Sequence, residues 1–327
     1  GVCNAYAGRR CYSKALSFEY RQRENIMGTI DPLGYYRLAP GEQQITPDQE
    51  IDWQRLITPE ARQTFLKDGV VLIKQTLHPE WLQLIDMAYQ RVMLTPETMA
   101  RFFRGTPEEF LESVHNYPNV PEIRQLLTES PIADIIGSLI ESENIWYFLD
   151  EFFIKEGGNC GPTPWHQDLP YWPIQGRQFA SMWINLDPLP KEECLEFVRG
   201  SHLNTVYDGF LPTVVNEDMR HPYFGGEMPQ LPDIESERAK WDIVSWTIEP
   251  GDVVLLHPGV LHGGGPTGNN SRRRTLTVRC YGDDVVYAHR PSSMPTAPRR
   301  PGLGLSLNAG DPLRHSTCPQ LRPKGTG

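Results

Sequence analysis

Between residues 58 and 142, apolar positions recur at helical spacing, and proline repeatedly follows a residue at the start of such a run. Thr58-Pro59, His78-Pro79, Thr106-Pro107 and Ser130-Pro131 each mark a predicted helix start. After His78, the residues Trp81, Leu84, Ile85, Ala88 and Val92 share one helical face, and Thr106 with Glu109 spells a capping box. The run from Gly69 through Val70, Val71 and Leu72 to Ile73 breaks this series and predicts an early strand. After Glu143 the period changes. Residues 145 to 154 are apolar and aromatic except at Asp150 and Glu151, as expected of a strand covered on both sides. Residues 179 to 186 alternate. Ala180, Met182, Ile184 and Leu186 form one face, and Phe179, Ser181, Trp183 and Asn185 form another that has the composition of a site lining. Further short strands are predicted over 195–198, 246–249, 253–256 and 273–281, separated by Gly/Pro turns. Helices first and short strands afterwards predict a mainly β protein with flanking α structure. The expected architecture is a jelly-roll barrel behind an N-terminal helical layer, not a wound βαβ sheet.

The same patterns divide the chain. Residues 1–50 read as an extension, 51–290 as a single domain, and 291–327 as a Pro/Gly-rich tail that wraps the surface and carries no chemistry. Within the domain the helical layer spans about 58–142 and the barrel about 143–290. The connection 203–245 is far longer than a turn requires and reads as a lid, because Tyr207, Phe210, Tyr223, Phe224 and Trp241 supply apolar surface and Arg220 a polar contact.

The candidate chemistry lies at two places in the predicted barrel. His166 and Asp168 are two apart on an extended segment that follows a Gly/Pro loop, and His262 precedes three glycines. Two imidazoles and one carboxylate make the facial set that holds non-haem Fe(II) with positions left open. His257 is a rival third ligand, but Pro258-Gly259 follow it at once, so His262 is preferred and His257 is given a structural hydrogen-bonding role. On the last strand Arg273, Thr275, Thr277 and Arg279 share one face, while Leu276, Val278 and Cys280 share the other. An inward Arg273 suits a bidentate grip on a carboxylate. Tyr171 and Trp172 follow Asp168 closely and are expected beside the open side of the metal.

Composition narrows the partners. Forty-one acidic against 31 basic residues, a net charge of -10, argues against a nucleic-acid or anionic-membrane surface and for a small-molecule partner. The six cysteines include no C-x-x-C pair, which points away from a zinc ribbon or disulfide framework and toward a reducing compartment. No apolar run approaches the roughly 20 residues that span a bilayer. The expectation is a cytoplasmic protein of undetermined oligomeric state. Residues 1–26, Arg-rich and acid-poor, read as either an organellar targeting remnant or an extension that does not fold.

Over about residues 70 to 284 the chain resembles the phytanoyl-CoA dioxygenase family of Fe(II)- and 2-oxoglutarate-dependent oxygenases. The resemblance rests on Pro164-Trp165-His166-Gln167-Asp168, Met182-Trp183, the segment from Cys194 to His202, Pro250-Gly251-Asp252-Val253, His262-Gly263-Gly264-Gly265-Pro266 and Arg273, in the family's order and spacing. It implies a double-stranded β-helix of the cupin-like kind, iron held by His166, Asp168 and His262, and Arg273 on the distal carboxylate of 2-oxoglutarate. Gln167 and Trp183 match positions that line the cosubstrate pocket, and Phe152 is placed near it. Gly264 departs from the pattern, since several relatives carry there a hydroxyl that donates to 2-oxoglutarate; Thr275 is the expected replacement. With O2, such a site oxidises a small, partly apolar metabolite and releases succinate and CO2, most commonly with hydroxylation. Related halogenases replace the carboxylate ligand with a small residue, so Asp168 implies hydroxylation or another oxidation such as desaturation. Tyr171, Trp172, Tyr223, Phe224 and Arg220 are the expected substrate contacts. Two other classes compete. A cupin-like metal-dependent hydrolase or isomerase keeps the triad without needing Arg273, and a non-catalytic ligand-binding barrel needs no metal.

Overall fold

The computed structural model describes residues 53–94, 100–102, 110–156, 160–209, 226–268, 272–290 and 306–323, together with the short paired strands Thr29–Ile30 and Tyr36–Arg37. Helix α1 (Pro59–Asp68) begins where the Thr58 hydroxyl accepts the Ala61 N–H at 3.2 Å and proline presets the first turn. It ends at Gly69, whose left-handed φ of 77° lets its N–H return to the Phe65 carbonyl and turns the chain into strand β1 (Val70–Ile73). Helix α2 (Pro79–Val92) buries Trp81, Leu84, Ile85, Ala88 and Val92, the face its spacing predicts. The helix expected after Thr106-Pro107 does not form over the described part of that segment. Residues 103–109 lie outside the described residues, and Phe110–Val114 is strand β2. It is held by antiparallel pairing with the long strand that follows, from Phe110 opposite Lys155 to Val114 opposite Glu151. Helices α3 (Pro121–Glu129) and α4 (Ile132–Ile140) complete the helical layer, and α4 packs against the barrel strands.

Eight strands form the barrel. They are β3 (Ile145–Glu156), β4 (Thr163–His166), β5 (Phe179–Asn185), β6 (Leu195–Val198), β7 (Ile243–Val244), β8 (Val253–Leu256), β9 (His262–Gly264) and β10 (Arg272–Tyr281). The larger sheet runs β1-β8-β5-β10-β3-β2 with Ala100–Phe102 at its edge, and the smaller runs β7-β6-β9-β4. The chain passes back and forth between the two antiparallel sheets, which is the winding of a double-stranded β-helix. The strand expected at 246–249 is displaced. Ile243–Val244 pairs with β6, and Ile248 makes a single bridge to Leu189. In the tail, β11 (Gln320–Arg322) adds to β3, and Arg322 grips Asp134 of α4 with bonds of 2.6 and 2.7 Å, so the described part of the tail wraps the barrel as expected.

Register sorts the faces of the larger sheet. Leu276, Val278 and Cys280 of β10 lie opposite Ile184, Met182 and Ala180 of β5, all fully buried on the outer, helix-covered side. Thr275, Thr277 and Arg279 lie opposite Asn185, Trp183 and Ser181 and face the barrel interior. Among the three consecutive arginines, parity therefore decides the role. Arg274 turns outward, stacks over the Tyr89 ring at 5.1 Å and joins Asp187 through Nε and Nη2 as well as Asp86 of α2. It ties the helical layer to the barrel, whereas Arg272 is 47% exposed. Arg274→Ala should lower the urea-measured unfolding free energy by about 1–3 kcal/mol, because half-buried Asp86 loses its cation and Asp187 keeps only the Arg272 contact at 3.6 Å. Arg272→Ala should change it by less than about 0.5 kcal/mol. Equal losses would contradict the role of strand parity.

Candidate metal centre and barrel interior

In the smaller sheet the antiparallel register sets His262 directly opposite His166, with a bulge before Gly264 meets Thr163. The two imidazole centroids lie 4.2 Å apart. With the proton on Nδ1, His166 donates to the Pro164 carbonyl at 2.8 Å and His262 to the Val260 carbonyl at 3.0 Å. Each Nε2 is thereby left as a lone-pair donor, oriented by its own backbone. Asp168 begins the 3-10 turn Leu169–Tyr171, and both its N–H and that of Leu169 reach the Pro258 carbonyl at 2.9 Å. This places Asp168 Oδ1 3.5 Å from His166 Nε2 and 3.9 Å from His262 Nε2. The three donors lie within 4.8 Å of one another.

Burial pushes His262 down to about 4, helped by His166, so the ring is neutral near pH 7. Burial alone would raise Asp168, but the neighbouring His166 and the Arg279 charge outweigh it and hold the carboxyl well below its ordinary value. Two imidazole nitrogens and one carboxylate oxygen, each already oriented, fit a divalent transition metal such as Fe(II).

Along the inner face of the larger sheet stands a different set. Arg273 is 3% exposed, and its Nη1 donates to the carbonyls of Gly265 at 2.8 Å and Glu193 at 3.1 Å. Directly across β3, Lys155 donates from Nζ to the carbonyls of Gly161 and Gly265, both at 2.9 Å. Burial lowers Arg273 to about 10, and burial followed by the Arg273 charge lowers Lys155 to about 7. Among the described residues neither cation meets a carboxylate at ion-pair distance. Gly265 is needed for the approach, since at its φ of 69° a Cβ would stand 2.5 Å from Arg273 Nη1. Arg273 Nε, Asn185 Nδ2 and Thr277 Oγ1 are buried on this wall without a hydrogen-bond partner. A buried pair of cations beside spare polar atoms fits a dicarboxylate such as 2-oxoglutarate.

The other expected site residues divide. Thr275 faces inward and donates to Asn185 Oδ1 at 2.7 Å; Trp183 faces inward and packs with Val254, Leu256 and Phe197. Gly264 takes a left-handed φ of 74° that strains any other residue, and a Cβ there would press on Glu196 Oε2 at 3.0 Å. Gln167 does not line the interior with its amide. It donates to the Gly259 and Thr205 carbonyls and accepts from Tyr207 N–H, so it braces the base of the long connection. Period two explains this, since its neighbours His166 and Asp168 take the inward positions. Phe152 is also displaced from its expected role, because it lies opposite Leu276 on the outer face, and Glu151 opposite Thr277 takes the inward position. Trp172 is 2% exposed and packs between Phe148 and Phe179, so it forms part of the core and is closed to a ligand. Tyr171 is half-buried beside Gly209, where a Cβ would lie 2.6 Å from its ring. Tyr223, Phe224 and Arg220 lie outside the described residues. His257 accepts the Gly259 N–H at 3.1 Å and packs on Phe65 and His202, the structural role expected of it.

Lys155, Glu151 and Arg279 are site residues that the sequence pattern did not assign. Arg279 is buried over the Trp172 ring at 5.1 Å, with Nη1 2.8 Å from Glu151 Oε2 and Nη2 3.6 Å from Asp168 Oδ2. The signal was the charge itself, because Glu151 and Lys155 fall four apart on one face of a strand otherwise apolar enough to be covered.

The family model for phytanoyl-CoA dioxygenase (PhyH) matches residues 65–275. A probable phytanoyl-CoA dioxygenase of Caenorhabditis elegans is 21% identical over 72% of this chain and 80% of its own length. The peroxisomal phytanoyl-CoA dioxygenase of Homo sapiens is 20% identical over 80% of this chain and 76% of its own. Among solved structures, the epimerase SnoN in complex with Fe3+, alpha ketoglutarate and nogalamycin RO shares the fold with a TM-score of 0.62. It is 22% identical and is covered over 98% of its length, against 83% of this chain. Since the family match runs from the end of α1 into β10 and takes in both histidines, Asp168 and Arg273, the chain belongs to the phytanoyl-CoA dioxygenase family.

Proposed function

We propose that this family member uses Fe(II), 2-oxoglutarate and O2 to hydroxylate a small, partly apolar metabolite, with release of succinate and CO2. The observation that carries the reading is the pairing of two unlike sites in one barrel interior. One is an oriented His166, His262 and Asp168 donor set, and the other is a buried Arg273 and Lys155 pair that meets no carboxylate at ion-pair distance among the described residues. A metal-dependent hydrolase or isomerase requires the first and gives no reason for the second. In the proposed reaction, O2 supplies one oxygen atom to succinate and one to the product, and decarboxylation of 2-oxoglutarate supplies two electrons.

Iron, bound by these three side chains, supplies the activation of O2. The protein's own part is positional. Arg273 and Lys155 hold the distal carboxylate, with the Thr275–Asn185 pair beside them presenting the amide of Asn185. Trp183, Val254, Leu256 and Phe197 form an apolar interior that excludes water next to the metal donors. Phe197 reaches the His262 ring itself, with centroids 6.1 Å apart. Asp168 keeps a carboxylate at the position that a halogenase leaves to halide, which favours hydroxylation or desaturation. Tyr171, at the base of the long connection, remains the described candidate for contact with the primary substrate.

Three measurements test this. Under anaerobic conditions Fe(II) should bind once per chain, and admitting O2 should then start succinate formation from 2-oxoglutarate. His166→Ala, Asp168→Ala and His262→Ala should each weaken binding beyond the about 10–100-fold typical of outer-shell changes. Wild-type affinity in any two of them would remove the metal assignment. Arg273→Ala should weaken 2-oxoglutarate binding by about 2–5 kcal/mol without altering iron affinity, since its partner is the cosubstrate and not the metal. The third concerns pH. Lys155, lowered to about 7 by burial and the Arg273 charge, is increasingly neutral above pH 7, and a dianion binds its charged form, so binding takes up a proton. The affinity for 2-oxoglutarate should therefore fall as pH rises above 7, by up to about tenfold per unit. Lys155→Met should weaken binding at pH 6 and flatten the dependence; an unchanged slope would exclude Lys155 from the carboxylate site.

A further inference from the structure

Asp168 has two oxygens in different surroundings. Oδ1 faces both histidine Nε2 atoms, at 3.5 and 3.9 Å. Oδ2 faces Arg279 Nη2 at 3.6 Å, an ion-pair contact longer than a direct hydrogen bond. Arg279 is held in place on its other sides. Glu151 Oε2 lies 2.8 Å from Nη1 as an ion pair without hydrogen-bond geometry, and the Trp172 ring, locked between Phe148 and Phe179, lies beneath the guanidinium. Glu151 is fully buried and Arg279 nearly so. Such an arrangement is unfavourable to build, because two charges leave water to make it.

We propose that Arg279, charge-balanced by Glu151, is a positioning residue that keeps Asp168 Oδ2 away from the metal. The carboxylate then offers one oxygen, and the position that its second oxygen would take stays free for the cosubstrate. This rests on the iron and 2-oxoglutarate reading above. The physical trade follows from Coulomb's law. A fixed cation beside a dication weakens metal binding, and one that also withdraws a donor oxygen weakens it further. Glu151 offsets the first effect and leaves the second. Metal affinity is thus lowered in favour of cosubstrate access. A purely structural ion pair makes no such trade.

The two halves of the pair therefore have opposite signs. Arg279→Met removes both the repulsion and the restraint, so Co(II) should bind several-fold more tightly, while 2-oxoglutarate should bind the Co(II)-loaded protein about tenfold or more weakly. The visible absorption of bound Co(II) should shift with the change in donor number. Glu151→Gln leaves the Arg279 charge uncompensated, so Co(II) should bind about tenfold more weakly. Arg279→Lys, which keeps the charge without the planar fork, should restore metal affinity toward wild type and cosubstrate affinity only in part.

Calorimetric titration of the full chain with Co(II), then with 2-oxoglutarate, reads both affinities without turnover. If wild type binds both ligands but Arg279→Met weakens both in the same proportion, or changes neither, the proposal is overturned. Should Arg279→Met not fold, Glu151→Gln decides, since weakened Co(II) binding supports the proposal and unchanged binding overturns it. A wild-type chain that binds neither Co(II) nor 2-oxoglutarate rejects the underlying reading and this inference with it.

Discussion

Because β4 and β9 pair antiparallel with His166 opposite His262, two imidazoles meet at 4.2 Å between centroids through backbone register alone. The remaining features of the centre are adjustments to that meeting. The Nδ1 contacts to Pro164 and Val260 are each to a carbonyl two residues back along the same chain, so ring orientation is set locally on each strand. Asp168 is brought in by the turn after β4, and its backbone anchor, the Pro258 carbonyl, lies on the segment that leads into β9. A slip of one residue in this pairing would carry one imidazole to the opposite face, so the register of two short strands governs the chemistry.

The larger sheet supplies the complementary constraint. Alternation along β10 gives three consecutive arginines three environments: Arg272 to solvent, Arg273 to the interior and Arg274 to the helical layer. The same alternation along β3 separates adjacent acids. Asp150 faces outward and accepts the N–H groups of Asn116 and Tyr117 and the Tyr147 hydroxyl, fixing the turn before α3, while Glu151 faces inward to Arg279. One acid stabilises a loop and its neighbour neutralises a cation near the metal donors.

Much of this was legible in the sequence because period two is a strong signal where polar and apolar residues alternate cleanly. On β5 and β10 they do, and the inward positions of Trp183, Asn185, Arg273 and Thr275 follow directly. On β3 they do not. Its aromatic run is buried on both faces, so no composition distinguishes Phe152 from Phe153, and the position was off by one. Trp172 was misplaced for a related reason: nearness to Asp168 in the chain says nothing about direction, and the 3-10 turn sends the indole into the core. Lys155 escaped notice because a lone lysine at the end of a strand is ordinarily a solvated terminus, and only the covering carbonyls of Gly161 and Gly265 reveal its burial. Strand β2 follows from its pairing with β3, a contact that no local signal in its own residues announces.

Charge accounting ties the two sites together. On the inner face of the larger sheet, counting Asp168 with it, the buried ionisable side chains among the described residues are Arg273, Arg279 and Lys155 against Glu112, Glu151 and Asp168. Three positive and three negative groups balance when Lys155 is charged. Under the proposed reading, a metal dication and a dicarboxylate dianion add charges that also cancel. Either one alone leaves two uncompensated charges in a low-dielectric interior, where they interact far more strongly than in water. Lys155, pushed down to about 7 by burial and the Arg273 charge, is the member of this set whose charge would respond to such an imbalance near neutral pH. The interior is thus built for the metal and the dianion jointly, and the affinity for each depends on the presence of the other.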